Sequence, residues 1–393
     1  MVKTKKIIYI GNSGFPLGLA GADRQRQIAK GLIANGCDVT IINRYGLHDI
    51  FKQNPVLKRS TFEGIKFIYA SGSPFREESF LKRNFLKLRG VLNEIRIILS
   101  KKRCNELDAI ITSSGNFFDV ILHSFLSSLC RVPSVLDNLE HRTSITCGIR
   151  KIDGYLYDNY SFKLVDKMIC ISDYLMDIAR TKYPCKPLIK IPVITDYSEF
   201  KAGKKSKDDY FLFCGGAVYF EVINFVIDSF DQLQDNSHFL YIVSSGRAEN
   251  MEKIRKRIGI SPKSKRIKLF SGLKRRFLLN LYSGSKALLI PLRNTPQDLA
   301  RFPHKIGEYC ASGKAIISTN MGEVKNYFSN NVNALLAEEY DVKQFAEKMR
   351  IVIDNPAFSK ELGQRAFKVG YKNFNHLVLG KKIYDFIFSP KPL

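Results

Sequence analysis

The sequence contains no pair of cysteines at the C-x-x-C spacing. Its eight cysteines are scattered along 393 residues, and most of them, such as Cys170 and Cys214, stand among apolar neighbours. A disulfide framework or a structural zinc site needs cysteines grouped at short spacings. The scatter therefore argues against both and predicts reduced core thiols in a cytosolic protein.

The sequence also lacks an apolar run that could cross a bilayer, which takes about 20 residues. The apolar run 117–130 is short and is interrupted by Asp119 and His123. The first six residues lead directly into an apolar strand pattern and lack the apolar region of a signal peptide. We therefore expect a soluble or peripheral protein in the cytoplasm.

Acidic residues are scarce relative to basic ones. The chain has 37 Asp and Glu against 62 Lys and Arg, which gives a net charge of +25 and a pI near 9.6. Such a charge favours an anionic partner, such as nucleic acid, acidic lipid or a phosphorylated substrate. Because the sequence has no aromatic-and-basic RNA motif and no basic helix-turn-helix, we expect no nucleic-acid partner. Nucleic-acid binding is an alternative that rests on charge alone.

The length and composition of the chain indicate two globular domains. A chain of 393 residues exceeds the usual size of one hydrophobic core. A hydrophobic content of 45% with 12% aromatic residues is typical of a folded, core-forming protein. The polar, glycine-containing segment 202–209 predicts the linker between the domains.

Two α/β series, each opening with a strand and a glycine-containing loop, indicate open parallel sheets. The predicted elements are strand 6–10, loop 11–21, helix 22–35 and strand 38–43 in the first series, and strand 210–216, helix 221–233 and strand 239–243 in the second. Such units bind phosphate groups at the loop. The first loop lacks the G-x-G-x-x-G spacing, and the next strand ends in Asn43-Arg44 rather than in an acid, so NAD binding is not expected.

The functional prediction depends mainly on the segment 287–319. It predicts strand 287–290, a polar loop, a short helix with Pro303 in its first turn and Gly313 as its C-cap, and strand 315–318. A helix that starts beyond the carboxyl end of a strand presents free N–H groups to anions. Lys305 and Glu308 are three residues apart and share a face. A cation for phosphate and a carboxylate for sugar hydroxyls suit a nucleotide sugar, whereas the alternative is a solvated pair on an exposed helix.

The segment 302–314, Phe-Pro-His-Lys-Ile-Gly-Glu-Tyr-Cys-Ala-Ser-Gly-Lys, resembles a motif of the family-4 retaining glycosyltransferases. The resemblance implies two Rossmann-like α/β domains facing across a cleft, the GT-B arrangement. It also implies transfer of a sugar from a nucleoside diphosphate to an acceptor hydroxyl with retention. In the family, the second Glu of a Glu-x7-Glu motif holds the donor ribose, and that position falls on Glu308. The first Glu falls on Ala300, so the chain resembles a subgroup that lacks it.

The same resemblance extends over roughly residues 6–388 and sets the expected domains. These are an acceptor-binding domain at 1–201, a nucleotide-sugar-binding domain at 208–375 and a segment at 376–393 whose helix crosses back to the first domain. The resemblance implies no metal, and the sequence contains no Asp-x-Asp motif. We therefore expect no cofactor and no metal, with UDP or GDP as the donor nucleotide.

The family also carries an Arg and a Lys that neutralise the donor diphosphate, and here those positions fall on Gly216 and Glu221. The available substitutes are Lys305, Arg301, Arg293 and the helix N-terminus, while Arg275 and Arg276 are expected to be solvated. The donor contacts implied by the resemblance are Gly18, Gly21, Gly215, Gly216, Gly272, Leu273, Arg293, Arg301, His304, Lys305, Ile306 and Glu308. Lys305 is also expected to act in catalysis. Because the usual cations are missing, a non-catalytic relative that only binds the donor is the main alternative.

A histidine is often found in this family after a strand of the first domain, where it faces the donor sugar and the acceptor. His141 is the candidate here, with Asn138 as the competing alignment. Glu140 beside it could accept the proton of the acceptor hydroxyl. A structural histidine at the end of a strand is the alternative.

The segment 80–103 predicts a basic amphipathic helix. Its apolar residues recur at helical spacing, and it carries eight basic residues and one acid, Glu94, for a net charge of +7. The stripe consists of Leu81, Phe85, Leu88, Leu92, Ile95 and Leu99. Such a helix can lie on an anionic membrane, which predicts a peripheral protein on the inner face of the cell membrane that works in surface polysaccharide or glycolipid assembly. The alternative is a helix whose stripe faces the core and whose basic face is solvated.

Overall fold

The computed structural model describes residues 4–11, 14–18, 20–48, 54–144, 147–148, 150–200 and 208–389. The chain divides into two compact units, Met1–Ile194 with His376–Leu393, and Thr195–Asn375. The first unit therefore ends at Ile194 rather than at the expected residue 201. The reason is that Tyr197 packs edge-on against the rings of Phe367 and Tyr371 within the second unit. Of the predicted linker, residues 202–207 lie outside the described residues.

The strands are β1 (Lys5–Gly11), β2 (Cys37–Asn43), β3 (Thr61–Phe62), β4 (Ile65–Tyr69), β5 (Ala109–Ser113), β6 (Ser134–Asn138), β7 (Lys167–Cys170), β8 (Leu188–Lys190), β9 (Tyr210–Gly216), β10 (Phe239–Ser245), β11 (Ile267–Phe270), β12 (Ala287–Ile290), β13 (Ala315–Thr319) and β14 (Leu335–Ala337). In the first unit they form a sheet in the order β3-β4-β2-β1-β5-β6-β7-β8, and in the second a sheet in the order β11-β10-β9-β12-β13-β14. All described pairings are parallel except the one between β3 and β4.

The helices are α1 (Ala20–Ala34), α2 (Phe80–Arg103), α3 (Phe117–Cys130), α4 (Arg150–Leu164), α5 (Asp173–Lys182), α6 (Phe220–Asp231), α7 (Ala248–Gly259), α8 (Arg275–Gly284), α9 (Pro296–Ala300), α10 (Lys305–Ser312), α11 (Val324–Tyr327), α12 (Val342–Asp354), α13 (Pro356–Phe374) and α14 (His376–Phe388). Short 3-10 helices occur at Pro55–Lys58, Arg142–Ser144, Tyr197–Glu199 and Ser264–Arg266. The predicted α/β class with parallel sheets is confirmed.

The sheet of the first unit is covered on both faces, which explains why its central strands are continuous apolar runs. Along β1, Ile7 and Tyr9 pack with residues of α1 and α14, while Ile8 and Ile10 pack with residues of α2 and α3. Helices α1 and α14 approach closely, since a Cβ atom on Gly31 would lie 2.4 Å from the carbonyl oxygen of His376. This close packing places the C-terminal helix in the first unit.

Four predicted boundaries differ from the structure. Helix α1 begins at Ala20, so Gly21 lies in its first turn and not in the loop. Asn138, expected after a strand, is the last residue of β6 and is buried. Residues 296–300 form helix α9 because Thr295 caps its N-terminus and Pro296 starts it without losing a hydrogen bond. Helix α10 begins two residues after Pro303, at Lys305.

Helix α2 is attached to the first unit by an unexpected face. Its buried residues are Gly90, Glu94 and Ile98. The carboxylate of Glu94 accepts hydrogen bonds from Arg44 at 2.8 Å and from the ring of His123 at 2.9 Å. Burial alone would raise the pKa of Glu94, but these two partners hold it below its usual value. A buried charge needs such partners, so this cluster fixes the helix on the unit.

The apolar stripe of α2 points mostly to solvent. Four of its six predicted members are between 49% and 79% exposed: Leu81, Phe85, Leu88 and Leu92. Only Ile95 and Leu99, near the end of the stripe, pack partly against the core. The alternative of a stripe facing the core is therefore wrong over most of the helix. No helix in the described ranges is long and apolar enough to cross a bilayer.

Candidate functional site

Glu308 is a buried carboxylate at the carboxyl edge of the second sheet. It lies in the first turn of α10, and its side chain is only 3% exposed. The loop between β12 and α10 brings it to this edge, where open parallel sheets bind their ligands. The alternative of an ordinary solvated Lys–Glu pair is therefore wrong for Glu308.

Three donors converge on the carboxylate of Glu308. Lys305 donates to Oε2 at 2.7 Å, and the hydroxyl of Tyr282 donates to the same oxygen at 2.9 Å. The guanidinium of Arg275 forms an ion pair with Oε1. A carboxylate has about four acceptor positions, so one position is left for a further donor.

The two cations keep Glu308 ionised. Burial alone would raise its pKa, but Lys305 and Arg275 overcome that effect and lower the pKa to about 2. Burial alone would also lower the pKa of Lys305, yet the carboxylate of Glu308 raises it above the usual value. The side chains of Lys305 and Arg275 remain 30% and 33% exposed, so the cluster presents positive charge to solvent.

Arg275 is a residue of this cluster that the sequence did not reveal. It was expected to be solvated, but it bridges two acids: besides Glu308 it donates to the carboxylate of Glu199 at 2.9 Å and 3.1 Å. It starts α8, after the turn at Gly272 that follows β11. The one sequence signal was its place in the first helical turn after a strand and a glycine. Arg276, by contrast, is exposed.

The N-terminus of α10 offers fewer free N–H groups than expected. The N–H of Ile306 donates to the carbonyl of Pro303 at 3.0 Å, and the N–H of Gly307 donates to the carbonyl of His304 at 3.2 Å. His304 is the half-buried N-cap residue, and the side chain of Ile306 is fully buried in the core. Of the predicted donor contacts, His304 thus shapes the turn, and Ile306 packs in the core. At the other end Gly313 has a φ of 68°, which confirms the predicted left-handed C-cap.

Arg301 reaches the turn that follows β9. Its guanidinium donates to the hydroxyl of Tyr219 at 2.6 Å and lies 5.3 Å from the centroid of the Tyr219 ring. Tyr219 closes this turn by donating its N–H to the carbonyl of Gly216 at 3.0 Å. Arg301 therefore brings a positive charge from a distant loop to the turn after β9. The positions where the family has an Arg and a Lys are Gly216 and Glu221, and neither residue is a cation.

Arg293 has a different role. Its backbone N–H and its guanidinium both donate to the buried carboxylate of Asp298, at 3.1 Å and 2.8 Å. These bonds tie the end of β12 to α9, and hydrogen bonding to Asp298 raises the pKa of Arg293. Since Asp298 balances its charge, Arg293 is a weaker candidate for an anion contact than Arg301.

The predicted glycine contacts in this unit lie at the same edge of the sheet. Gly215 and Gly216 end β9, and a Cβ atom on Gly215 would lie 2.8 Å from the ring of Phe213. Gly272 is exposed with a φ of 65°, and Leu273 after it is half-buried. The structure thus brings the ends of β9 and β11 to the edge that holds Glu308.

In the first unit, the loop after β1 and the start of α1 hold the remaining glycines. Gly18 is half-buried. A Cβ atom added to Gly14 would lie 3.6 Å from the Cα atom of Gly18. Arg24, which follows in α1, is fully buried: it donates to Asp137 at 2.9 Å and to the carbonyl of Pro192 at 2.7 Å. Arg24 therefore fastens the helix to the ends of two strands.

His141 and Glu140 lie just past β6 and are accessible. The ring nitrogen Nε2 of His141 lies 3.5 Å from the carboxylate of Asp158, and the side chain is 24% exposed. Among the described residues Nδ1 of His141 has no hydrogen-bond partner. Glu140 is half-buried near Arg142. Asn138, the competing position, is buried in β6 with its amide oxygen near the hydroxyl of Tyr157, so His141 is the better placed of the two.

The described residues contain no cluster of His, Cys, Asp and Glu that could hold a metal ion. A ligand of this edge would meet the cations Lys305, Arg275 and Arg301 and the turns after β9 and β11. Such a set suits an anionic ligand with hydroxyl groups.

Comparison with known proteins finds a family similarity in the second unit. Residues 195–369 match the family model of glycosyl transferases group 1. No curated protein matches the sequence.

Solved structures with the same fold cover nearly the whole chain. Sucrose-phosphate synthase from Thermosynechococcus elongatus is 14% identical with a TM-score of 0.75, covering 98% of this chain and 99% of its own. The Anabaena protein HepE in complex with UDP and glucose is 13% identical with a TM-score of 0.73, covering 98% and 100%. WaaG, a glycosyltransferase involved in lipopolysaccharide biosynthesis, is 15% identical with a TM-score of 0.66, covering 98% and 100%. The chain thus has the GT-B fold with two Rossmann-like domains, and its residues 195–369 are similar to the glycosyl transferases group 1 family.

Proposed function

We propose that this glycosyltransferase moves a sugar from a nucleoside diphosphate to an acceptor hydroxyl with retention. The observation that carries the proposal is the buried Glu308 with its cations Lys305 and Arg275, at the ligand-binding edge of a group 1 domain. HepE, which has the same fold, binds UDP and glucose. UDP or GDP is the donor nucleotide we propose, with no metal.

In this proposal Glu308 accepts a hydrogen bond from a ribose hydroxyl through its remaining acceptor position. Lys305 and Arg301 approach the diphosphate, where charge develops as the sugar leaves. Lys305 is one turn of α10 from Glu308, and Arg301 stands at the turn after β9. These cations support activity in spite of the missing Arg and Lys of the family pattern.

The acceptor hydroxyl belongs to the first unit in this proposal. His141 and Glu140 are the accessible polar residues after β6. His141 lies beside the acceptor hydroxyl in this proposal, with Nε2 3.5 Å from Asp158 and the side chain 24% exposed. Glu140 can accept the proton of that hydroxyl.

We further propose that the first unit rests on an anionic membrane at the inner face of the cell membrane. Helix α2 exposes its apolar stripe between basic residues, and α3 beside it exposes a second stripe made of Phe118, Ile121, Phe125 and Leu129. Apolar residues flanked by Lys and Arg bind the surface of an anionic bilayer. A membrane-bound acceptor places the enzyme in surface polysaccharide or glycolipid assembly.

A sugar-nucleotide-binding protein without activity is the second candidate. It is favoured by Gly216, Glu221 and Ala300, which stand where the family pattern has an Arg, a Lys and a Glu. It predicts donor binding without release of the nucleoside diphosphate.

A thermal-shift series with UDP-, GDP-, ADP- and TDP-sugars tests donor binding on the full chain. A ligand that binds only the folded state raises the midpoint of unfolding. We expect a rise with one nucleotide and a smaller rise in Lys305→Met, while the control Lys325→Met behaves as the wild type. No rise with any donor at millimolar concentration would contradict the proposal.

A further inference from the structure

A second candidate binding site lies in the first unit, at the carboxyl edge of its sheet. It is a cavity of about 210 Å³ between the loop after β2, the loop after β4 and the first turns of α2. Pockets that hold whole small molecules measure roughly 300–1,000 Å³. This cavity is too small for a nucleotide sugar and suits a single compact group.

The lining of the cavity is strongly basic. Arg76, Arg83 and Lys87 contribute three positive charges, and the acid in the lining, Glu77, pairs with Lys82 at 3.1 Å. Among the described residues no carboxylate forms an ion pair with Arg76, Arg83 or Lys87. The cavity therefore keeps positive charge that its own walls do not balance.

The walls of the cavity are held in place by backbone contacts. The N–H groups of Leu47 and His48 donate to the carbonyl of Pro74, and the N–H of Arg76 donates to the carbonyl of His48 at 2.9 Å. A Cβ atom on Gly46 would lie 2.2 Å from the carbonyl oxygen of Phe75, so glycine is required for this approach. These contacts join residues 46–48 to residues 74–76.

Two of the cations contact aromatic rings, Lys87 that of Tyr45 and Arg83 that of Phe80. The amine of Lys87 lies 5.8 Å from the centroid of the Tyr45 ring, which is also part of the lining. Arg83 and Lys87 are four residues apart, so they point from successive turns of α2. Two guanidinium groups and one amine around a small cavity match the oxygens of a phosphate group.

We infer that this cavity, the Arg76 pocket, binds a phosphate or diphosphate group carried by the acceptor. The inference rests on the proposed function, because it names the chemical class of the acceptor. A phosphomonoester carries about −1.5 to −2 charges near pH 7, which balances a lining with three cations and one acid. The group belongs either to a lipid, close to the exposed stripe of α2, or to a soluble phosphorylated sugar.

The absence of tryptophan from the sequence allows a local test. Leu47→Trp in the full chain places one fluorophore in the wall of the Arg76 pocket, and its fluorescence is followed during titration with inorganic pyrophosphate. Binding in the donor site of the second unit leaves this reporter unchanged. Donor binding is measured separately by thermal shift, so the two proposals can fail independently.

Two triple variants in the reporter background are compared. The pocket variant carries Arg76→Gln, Arg83→Gln and Lys87→Gln, and the control carries Arg96→Gln, Lys102→Gln and Arg103→Gln on the same helix outside the pocket. We expect saturable binding that is at least about tenfold weaker in the pocket variant, because each lost contact to an anion is charge-assisted, and unchanged in the control. If the pocket variant does not fold, Lys87→Gln alone is used, with Lys102→Gln as its control.

Vesicles then distinguish the two sources of the phosphate group. Phosphatidylcholine vesicles with phosphatidic acid, a monoester, are compared with vesicles that contain phosphatidylglycerol at equal surface charge. A preference for phosphatidic acid that the pocket variant loses assigns the pocket to a lipid. Pyrophosphate binding without that preference assigns it to a soluble acceptor. If the reporter does not respond and the vesicles show no preference, or if both triple variants lose binding equally, the inference is wrong.

Discussion

The amine of Lys305 donates to the buried carboxylate of Glu308 at 2.7 Å, one helical turn further along α10. This pair stabilises the second unit and is also part of the proposed donor site. The same carboxylate that stabilises two cations in the fold also leaves one acceptor position for a ligand. Changes at Glu308 should therefore affect both folding and donor binding.

Glu308→Gln should destabilise the second unit. It leaves Lys305 without its buried counter-charge and leaves Arg275 paired with Glu199 alone, and removing one partner of a buried ion pair costs about 3–5 kcal/mol. The matched control is Glu361→Gln, whose pair with Arg365 is half-exposed and worth less than about 1 kcal/mol. The measurement is urea unfolding of both variants at pH 7. Equal effects would show that the Glu308 cluster is not a buried ion pair.

The contribution of Glu308 to stability should depend on pH. Its pKa is about 2 in the folded state and about 4.3 in a free chain. Because the folded value is the lower one, the contribution is full above the unfolded value and is lost as the pH falls from about 5 towards 2. Urea unfolding at several pH values should show the gap between wild type and Glu308→Gln narrowing in acid. A gap that stays constant would contradict the lowered pKa.

Arg301→Ala should weaken binding of the nucleoside diphosphate and leave binding of the nucleoside alone unchanged. Hydrogen bonds to charged groups contribute about 1.5–3 kcal/mol, which corresponds to roughly a ten- to hundredfold loss of affinity. Tyr219→Phe removes the hydroxyl that holds Arg301 and should cause a smaller loss in the same direction. Calorimetric titration provides the measurement.

The control for Arg301 is Arg276→Ala, which removes an exposed arginine of the same unit. It should bind both ligands as the wild type does. If Arg301→Ala weakens the nucleoside as much as the diphosphate, its role is to shape the turn rather than to contact phosphate.

The exposed stripe of α2 should act in membrane binding and not in folding. Phe85→Ser with Leu88→Ser should weaken binding to anionic vesicles at least tenfold, because each side chain contributes about 1.5–3 kcal/mol when it leaves water. The free energy of unfolding should change little, since both side chains are exposed. Flotation with vesicles and urea unfolding measure the two effects.

Ile98→Ala on the same helix serves as the opposite control. Ile98 is fully buried, and its truncation should cost about 2–5 kcal/mol of stability with no specific loss of vesicle binding by the folded protein. A loss of stability in the Phe85 and Leu88 variant that matches that of Ile98→Ala would show that the stripe packs against protein.

The sequence was sufficient to predict the strands 6–10, 38–43, 210–216, 239–243, 287–290 and 315–318 and the helix 80–103, because their apolar patterns depend only on nearby residues. It could not predict which face of α2 is buried. The stripe was compatible with a membrane or with the core, and Arg44 and His123, distant in sequence, draw Glu94 into the unit and turn the stripe outwards. A buried ion pair decided the orientation, and periodicity carries no information about it.

The candidate site was predicted in part for the same reason. Lys305 and Glu308 are close in sequence, so their shared face followed from helical spacing. Arg275 reaches Glu308 from another helix, and Arg301 reaches Tyr219 across 82 residues. Such pairings depend on the sheet order, and the spacing of residues does not reveal them.

Sugar transfer itself is the decisive test of the proposed function. The donor identified by thermal shift is supplied with a radiolabelled sugar, and a lipid extract serves as a mixture of acceptors. We expect label to enter the lipid fraction together with an equal amount of released nucleoside diphosphate, and Lys305→Met to abolish both. Donor binding with neither transfer of label nor release of the nucleoside diphosphate would contradict the proposed function and identify a sugar-nucleotide-binding protein.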